Sequence, residues 1–209
     1  ILKSITEKKA PEDLQKKIVG ISKTGLIMLV TLKIKTKILN SAYMKEKVQI
    51  LNHAEIAQKT KRIAFQIYEN NINEKEIVLA GIARKGFKLA KRIQAELEKI
   101  SPLQIILCEV KVDKQHPLNT ITTSIPPEKY SDKSIVLVDD VLNSGTTLIY
   151  GVRHFLNVPL RQFKTAVLVD RNHKKYPVKA DFKGISLSTS LNEMVKITFE
   201  EGNDRAELV

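Results

Sequence analysis

The sequence predicts an α/β fold with a central, mainly parallel sheet flanked by helices. Apolar runs typical of buried strands alternate along the chain with stretches of helical periodicity. These runs are continuous, as expected for parallel strands covered on both faces. Polar clusters at 83–86, 139–147 and 170–173 follow three of the predicted strands. Because ligands bind beyond the carboxyl ends of parallel strands, the clusters predict one shared site.

Length and composition indicate one domain with additional segments. The chain has 209 residues, of which 43% are hydrophobic and 28% charged, which is ordinary for a globular protein with a full core. The single cysteine, Cys108, lies in an apolar run and has no partner for an internal disulfide. We therefore expect it to pack in the core of a cytoplasmic protein.

The first 43 residues differ from the rest of the chain. They carry nine lysines and three acidic residues, so they contribute half of the net charge of +12. Their apolar stretch, 25–32, is too short to span a bilayer, and a signal peptide is disfavoured by the poor cleavage site. We expect residues 1–43 to be a basic extension that is disordered, loosely attached or foreign to the natural protein. Residues 44–209 are predicted to form the domain, whose moderate basic excess suits phosphorylated substrates as well as RNA.

The pattern becomes regular from Asn52 onward. Asn52 and Glu55 predict a capping box at the start of a helix that continues to about Asn70. Residues 76–82 predict a buried strand, and 83–86 predict a turn into a second amphipathic helix.

The remaining elements continue the alternation of strands and helices. Residues 103–112 predict a strand, and 113–133 form a turn-rich connection of a length that is usually functional or mobile. Beyond the segment discussed next, 165–169 predict another buried strand, while 180–187 and 194–199 predict short strands. This order favours parallel pairing.

The segment 134–147, S-I-V-L-V-D-D-V-L-N-S-G-T-T, contains the strongest functional pattern. Its four apolar residues 135–138 predict a buried strand that ends on Asp139 and Asp140. These carboxylates are suited to sugar hydroxyls, with or without a divalent metal ion. The alternative is that the two acids are ordinary turn and helix-capping residues.

The polar loop after the two acids predicts a phosphate cradle. It leads into a predicted helix at 148–156, where unpaired backbone N–H groups and the helix dipole favour an anion. Ordinary loop chemistry is the competing interpretation. The residues of the predicted cradle are Asn143, Ser144, Gly145, Thr146 and Thr147.

The whole segment resembles the phosphoribosyl pyrophosphate (PRPP) signature of type I phosphoribosyltransferases. That signature is an apolar strand, two acids, three variable residues, then Thr or Ser, Gly, any residue, and Thr or Ser. G-I-A-R-K-G at 81–86 and the run 166–184, with D-R-N-H and A-D-F-K-G, resemble the bifunctional pyrimidine-operon attenuator and uracil phosphoribosyltransferase family. The likeness covers about residues 50–205. It implies the type I phosphoribosyltransferase fold with a small hood of short strands, and a dimer or larger assembly without membrane attachment.

The resemblance also implies a reaction, a cofactor and roles for residues. A nucleobase would attack C1′ of PRPP while pyrophosphate leaves with Mg²⁺. Asp139 and Asp140 would bind the ribose hydroxyls and the metal shell, and residues 143–147 would bind the ribose phosphate. The first strand end would bind pyrophosphate, unless it is merely a solvated basic turn. Its residues are Ala83, Arg84, Lys85 and Gly86.

Four further residues are assigned to the base by the same resemblance. Phe182 would stack on the base, although a buried core phenylalanine is an equal alternative. Purine enzymes of this kind commonly carry an acid where this chain has Asn143, so the amide favours a pyrimidine, most directly uracil. The four predicted base-binding residues are Asp170, Arg171, Phe182 and Lys183.

Two departures from the family pattern predict lower catalytic efficiency. The region 113–117 reads D-K-Q-H-P, where the family has a Tyr-Arg-Asp-Asp run that closes over PRPP, and 83–86 reads A-R-K-G in place of Lys-Thr-Arg-Gly. Three hypotheses follow: a uracil phosphoribosyltransferase, a nucleotide-sensing RNA-binding regulator of pyrimidine-operon attenuation with weak or no catalysis, and a phosphoribosyltransferase for a purine or another base. The basic stretch 88–92 is the candidate RNA face, with a solvated helix side as the alternative.

Overall fold

A six-stranded sheet with helices on both faces forms the centre of the domain that the structure describes. The computed structural model describes residues 47–113, 116, 118–190 and 193–209. The predicted basic extension, 1–43, lies outside the described residues. The elements in chain order are β1 (Val48–Leu51), α1 (His53–Asn70), β2 (Glu76–Ile82), α2 (Ala83–Ile100), β3 (Gln104–Lys111), β4 (Thr122–Thr123), a 3₁₀ turn (Pro127–Lys129), β5 (Ser134–Leu142), α3 (Thr146–Phe155), β6 (Gln162–Asp170), β7 (Phe182–Ser186), β8 (Val195–Thr198) and β9 (Arg205–Leu208).

The central sheet confirms the predicted α/β class. Its strand order is β4-β3-β2-β5-β6-β7. Every neighbouring pair is parallel except β3 and β4, which pair antiparallel at the edge. The carboxyl ends of β2, β5 and β6 therefore lie side by side, which positions the polar residues that follow them.

Alternation along β2 explains why helices cover both faces of this sheet. Ile77 and Leu79 belong to a core that includes the buried faces of α1 and α2, whereas Val78 and Ala80 belong to a second core that includes residues of α3. Successive side chains of a strand point to opposite faces, so a continuous apolar run fills both cores. Full burial of each isoleucine, leucine or valine side chain contributes about 1.5–3 kcal/mol, which holds the strand ends in fixed positions.

A separate three-stranded antiparallel sheet has the order β1-β9-β8 and forms the hood that the resemblance implies. The sequence predicted a strand near β8 but neither β1 nor β9. Val48 pairs with Leu208, so the two strands come from opposite ends of the domain's sequence, and each has only four residues. Local sequence carries little signal for strands this short and this far apart.

The start of α1 confirms the predicted capping box. The backbone N–H of Glu55 donates to Asn52 Oδ1 at 2.9 Å, and the backbone N–H of Asn52 donates to Glu55 Oε2 at 2.8 Å. The helix ends at Asn70, as predicted.

Three predicted boundaries around the polar clusters were wrong. β5 continues to Leu142, because it pairs with β6 as far as Leu142 opposite Asp170, so the two acids lie within the strand rather than after it. Residues 83–86 form the first turn of α2 instead of a separate turn. α3 begins at Thr146, two residues earlier than predicted.

Candidate active site

A cavity of about 600 Å³ lies at the carboxyl ends of β2, β5 and β6. It gathers ten of the fifteen residues that the sequence assigned to a site, from all three predicted strand ends. The predicted residues on its wall are Ala83, Arg84, Lys85, Asp139, Asp140, Asn143, Ser144, Gly145, Thr147 and Arg171. Five predicted residues do not line it: Gly86, Thr146, Asp170, Phe182 and Lys183.

The acidic pair of β5 presents two buried carboxyl groups on the cavity wall. Asp139 is 4% exposed and Asp140 is 6% exposed. The Asp140 backbone N–H donates to Asp139 Oδ1 at 2.9 Å, and Lys85 Nζ lies 4.0 Å from Asp140 Oδ2. Burial of a carboxylate is costly unless polar or charged groups surround it, and hydroxyl groups or a cation in the cavity are suitable partners for these two acids.

The loop after β5 has the backbone geometry of an anion cradle. Gly145 has φ of +79°, a conformation that favours glycine, and it is the N-cap of α3. The Ser144 hydroxyl accepts a hydrogen bond from the Thr146 backbone N–H at 3.3 Å and pairs with the Thr146 hydroxyl at 2.9 Å. The first N–H groups of α3 have no acceptor within the helix, so the positive end of its dipole faces this loop.

A neighbouring segment braces that loop from behind. The backbone N–H groups of Lys175 and Tyr176 both donate to the Ser144 carbonyl, at 2.8 and 3.3 Å. A Cβ on Gly145 would overlap the side chain of Val178. The loop position is therefore set by the chain after β6 as well as by its own sequence.

The first turn of α2 supplies the cationic side of the cavity. Arg84 and Lys85 are exposed, and Ala83 has a positive φ of 50°, which is uncommon for a residue with a side chain. Ile82 caps the helix without a side-chain hydrogen bond, so backbone donors of this turn are left for an anion. Gly86 lets the turn approach β5 closely, since a Cβ there would lie 2.6 Å from the Val138 carbonyl oxygen.

A second cavity of about 430 Å³ adjoins this turn. It shares Ala83 and Arg84 with the first cavity and is otherwise lined from β3, β4 and their connection, including Asp113. Asp113 accepts a hydrogen bond from the His116 backbone N–H at 3.0 Å. Residues 114, 115 and 117 of the predicted lid lie outside the described part of the chain.

Asp170 does not reach the cavity, in contrast to its predicted place at the base. It is 2% exposed and accepts a hydrogen bond from the Asn172 backbone N–H at 3.1 Å. Lys174 and Lys183 form ion pairs with its Oδ2 at 3.4 and 3.6 Å. Lys183 is held by this ion pair and does not line the cavity, so Asp170 and Lys183 both belong to the scaffold around β6 and β7.

Phe182 is a buried core residue, which agrees with the alternative to stacking on the base. It is 5% exposed, begins β7, pairs with Ala166 and packs in the core shared with α1 and α2. His173 contacts the Thr189 carbonyl through Nε2, which also indicates a structural contact.

Sequence reasoning missed the apolar part of the wall. Met194 and Val195, just before and at the start of β8, line the cavity, and Met194 is 61% exposed. An exposed methionine beside a polar cavity is suited to a flat, partly apolar ligand such as a base. The only sequence signal was an apolar pair after a polar stretch, which is too common to identify a site.

Metal-ligand clusters and the single cysteine provide no further reactive group within the described part of the chain. No set of three or more histidine, cysteine, aspartate or glutamate side chains among the described residues is placed to hold a metal ion. Cys108 is buried, and burial raises the pKa of its thiol, so it is a packing residue rather than a thiolate nucleophile. Among the same residues, no helix has the length and apolar content needed to cross a membrane.

The class that this fold and cavity define is an α/β protein whose cavity, at the ends of its parallel strands, is suited to a phosphorylated sugar. The chain belongs to the phosphoribosyltransferase family, since the phosphoribosyl transferase domain matches residues 47–202. The recognition of a type I phosphoribosyltransferase in the sequence is thereby confirmed.

Within this family, the chain is similar to curated proteins that share one name. A protein named "Bifunctional protein PyrR" from Streptococcus agalactiae serotype Ia is 36% identical over 154 residues, covering 71% of this chain and 88% of the relative. A protein of the same name from Streptomyces coelicolor is 34% identical over 159 residues, covering 72% and 82%.

Solved structures with the same fold include purine enzymes. A hypoxanthine-guanine phosphoribosyltransferase from Bacillus anthracis superposes with a TM-score of 0.58 at 20% identity, over 72% of this chain and 86% of that one. The hypoxanthine phosphoribosyltransferase of Trypanosoma cruzi, in complex with the product IMP, gives 0.59 at 18% identity, over 73% and 84%. At such low identity these likenesses show the fold alone.

Proposed function

We propose that this protein transfers the phosphoribosyl group of PRPP to uracil and releases pyrophosphate. One observation carries the proposal: a single cavity joins a phosphate loop, two buried carboxylates and the basic first turn of α2. These are the three binding functions that PRPP requires, for its 5′-phosphate, its ribose hydroxyls and its pyrophosphate.

Each group would act where charge develops during the transfer. The bond from C1′ to a ring nitrogen of the base forms as the bond from C1′ to the pyrophosphate oxygen breaks, and the proton of that nitrogen passes to solvent. Positive charge develops on the ribose ring in the transition state. The carboxylates of Asp139 and Asp140 would stabilise that charge, and Arg84 and Lys85 would stabilise the charge on the leaving pyrophosphate. Fixed groups of this kind act without reorganising during the reaction.

The carboxyl oxygens of Asp139 and Asp140 suit Mg²⁺, which prefers oxygen ligands and usually takes one or two carboxylates together with substrate oxygens and water. Two adjacent carboxylates suit a metal ion that arrives with PRPP and completes its coordination with substrate oxygens and water. When bound, Mg²⁺ would neutralise charge on the pyrophosphate.

The choice of uracil rests on Asn143 and on the relatives. An amide at this position cannot exchange a proton with the base as the acid of purine enzymes does. Two relatives that match most of the chain are bifunctional PyrR proteins, and Met194 offers an apolar surface to a planar ring. A purine or another base stays the alternative substrate.

The test is pyrophosphate release from PRPP and Mg²⁺ with uracil, cytosine, hypoxanthine, guanine and adenine offered singly. Uracil should give the highest kcat/KM, and chelation with EDTA should stop release reversibly without changing the thermal midpoint. Asp132→Asn, on the exposed turn before β5, is the matched control for charge loss and should retain activity. No release with any base would overturn the enzymatic proposal, and a purine optimum would overturn the assignment of uracil.

A second candidate function, RNA-binding regulation, is favoured by the word "bifunctional" in the names of the relatives. The basic face of α2 gives it limited support. Arg92 is paired with Asp204 at 2.7 Å, and Lys88 Nζ lies 3.4 Å from the Phe199 carbonyl, which leaves Lys91 and the exposed part of Lys88 for phosphates.

This second function is tested by binding to pyrimidine-operon leader RNA and to a scrambled RNA of equal length, with and without UMP, at increasing salt. A regulator should prefer the leader sequence, and the preference should change with UMP. Binding that salt removes equally from both RNAs would count against regulation.

We also infer from the family likeness a cytoplasmic homo-oligomer, a dimer or larger. Sedimentation analysis of the purified chain tests the assembly, and a monomer at micromolar concentration would contradict it.

A further inference from the structure

Arg171 is the most heavily hydrogen-bonded side chain at the cavity. It is 4% exposed and lies directly after β6. Its Nη1 donates to Asn143 Oδ1 at 3.0 Å, and its Nε and Nη2 donate to Thr189 Oγ1 at 3.0 and 2.9 Å. Nη2 also donates to the carbonyls of Ser190, at 3.3 Å, and Glu193. The guanidinium thus joins the phosphate loop to the chain before β8, and few of its donors are left for a base.

The contact with Arg171 fixes which way the Asn143 amide points. A guanidinium has only donors, so the amide atom that faces it must be the oxygen. The amide nitrogen is then the polar atom left to bind a ligand, and it has no hydrogen-bond acceptor among the described residues. Asn143 is exposed and lines the cavity, where a ligand can reach that nitrogen.

We propose that Arg171 and Asn143 form a specificity-determining pair in which Arg171 is the positioning residue and Asn143 presents an N–H donor to the base. This inference rests on the proposed function and deepens it. The pair selects a base with an acceptor, such as a carbonyl oxygen, at the position facing Asn143. A ring N–H at that position would meet another donor and be rejected.

The proposal differs from direct base binding by Arg171. Without the guanidinium, the amide of Asn143 can rotate by half a turn and present its oxygen instead. Loss of Arg171 should therefore weaken discrimination between bases, beyond any general loss of activity.

The first experiment compares kcat/KM for uracil, 2-thiouracil and 4-thiouracil, because a thiocarbonyl sulfur accepts hydrogen bonds more weakly than oxygen. The wild-type protein should discriminate about tenfold against one thio analogue, the one with sulfur facing Asn143. Asn143→Leu, similar in shape but without a donor, should lower uracil kcat/KM about tenfold and abolish that discrimination. Asn143→Asp keeps an acceptor for Arg171 but places an acceptor against the carbonyl, and should lower uracil kcat/KM about 100-fold.

Matched controls separate this pairing from general effects of substitution. Asn73→Asp, on an exposed turn at the opposite end of β2, makes the same charge change and should leave all three bases unaffected. Thr189→Val removes another partner of Arg171 and should retain the ratio of uracil to thiouracil. Arg171→Lys preserves a donor to Asn143 and should retain more of the ratio than Arg171→Gln, whatever their common loss of kcat. Unchanged ratios in Asn143→Leu, or a wild type that accepts all three bases equally, would overturn the inference.

Failure of the proposed function is distinguishable from failure of this inference. If the wild type releases no pyrophosphate with any base, the enzymatic function fails, and calorimetric binding of UMP, 2-thio-UMP and 4-thio-UMP decides the pairing. About tenfold weaker binding of one thio nucleotide, lost in Asn143→Leu, would support it. Equal binding of the three nucleotides, or no UMP binding, would overturn it.

Discussion

The ends of β5 and β6 are neighbours in the sheet and carry similar residues, but those residues make different contacts. Asp139 and Asp140 of β5 line the cavity, with one lysine 4.0 Å from Asp140. Asp170 of β6 is equally buried and has two lysines and a backbone N–H around it. An acid at the end of a parallel strand is thus not by itself a ligand-binding group.

The difference lies in what the following chain does. After β5, a short loop turns directly into α3 and leaves the acids open to the cavity. After β6, the chain continues through 172–181 into β7, which brings Lys183 back to Asp170. The carboxyl end of β5 is therefore accessible to a substrate, whereas the acid at the carboxyl end of β6 stabilises the structure next to the cavity.

Asp140→Asn tests the ligand side of this comparison and should have the largest effect. We expect kcat/KM for pyrophosphate release to fall about 100- to 1,000-fold, because a charge facing the developing cation is lost. The unfolding free energy should change little, since the amide is similar in size. Steady-state kinetics and thermal unfolding measure the two, with Asp132→Asn as control. Unchanged turnover would remove Asp140 from the site.

Gly145→Ala tests the loop that separates the two strand ends. The positive φ and the overlap with Val178 should together cost about 2–3 kcal/mol of unfolding free energy, and KM for PRPP should rise about tenfold. Combining it with Val178→Ala should recover the steric part and leave the backbone part, which denaturant unfolding of the four variants resolves. Additive effects would show that the two residues do not touch.

Asp170→Asn tests the scaffold side. Since Lys174 and Lys183 are partly exposed, we expect a loss of about 1–2 kcal/mol in unfolding free energy. The value of kcat/KM for uracil should stay within a factor of about three, because the carboxylate does not reach the cavity. A loss of turnover comparable to that of Asp140→Asn, at unchanged stability, would break the comparison.

The smallest expected effect concerns pH and His154, in the last turn of α3 at the end away from the phosphate loop. Burial lowers the pKa of His154 below its ordinary value of 6.5. The unfolded chain then binds this proton more readily, so stability is complete above that ordinary value and falls as the pH decreases through it. His154→Leu should reduce the loss of unfolding free energy between about pH 7 and pH 5 by less than about 1 kcal/mol, measured by denaturant unfolding. An unchanged loss would show that other groups are responsible.

The same variant distinguishes two causes of acid inactivation, protonation of groups in the cavity and protonation of a packed side chain outside it. A decline of kcat at low pH that persists in His154→Leu belongs to the cavity. A decline that disappears in that variant belongs to the packing at the C-terminal end of α3.

The sequence predicted the elements whose signal is local. The apolar runs of β2, β5 and β6 and the capping box at Asn52 are encoded within a few residues, and the structure confirms them. β1 and β9 were not predicted, because each has only four residues and pairs with a strand from the other end of the domain's sequence. A short strand stabilised only by distant pairing has no local pattern.

The residues of the candidate site show the same contrast between local sequence signals and contacts made by distant parts of the chain. Its three clusters were found because strand order brings carboxyl ends together, which follows from topology. The sequence could not predict that Asp140 lines the cavity while Asp170 does not. That difference depends on the position of Lys183, which the connection to β7 places beside Asp170. Met194 was missed for a similar reason, because only tertiary structure places it on the cavity wall.

The contact of Gly86 with the backbone of β5 has a consequence for the behaviour of the cavity in salt. A Cβ at Gly86 would lie 2.6 Å from the Val138 carbonyl oxygen, so the first turn of α2 rests directly on the strand that carries the acids. Its distance from them is set by backbone contact, whereas the attraction between Lys85 and Asp140 is screened as ionic strength rises. High salt should therefore weaken the capture of a polyanionic substrate while leaving the spacing between the two halves of its binding site unchanged.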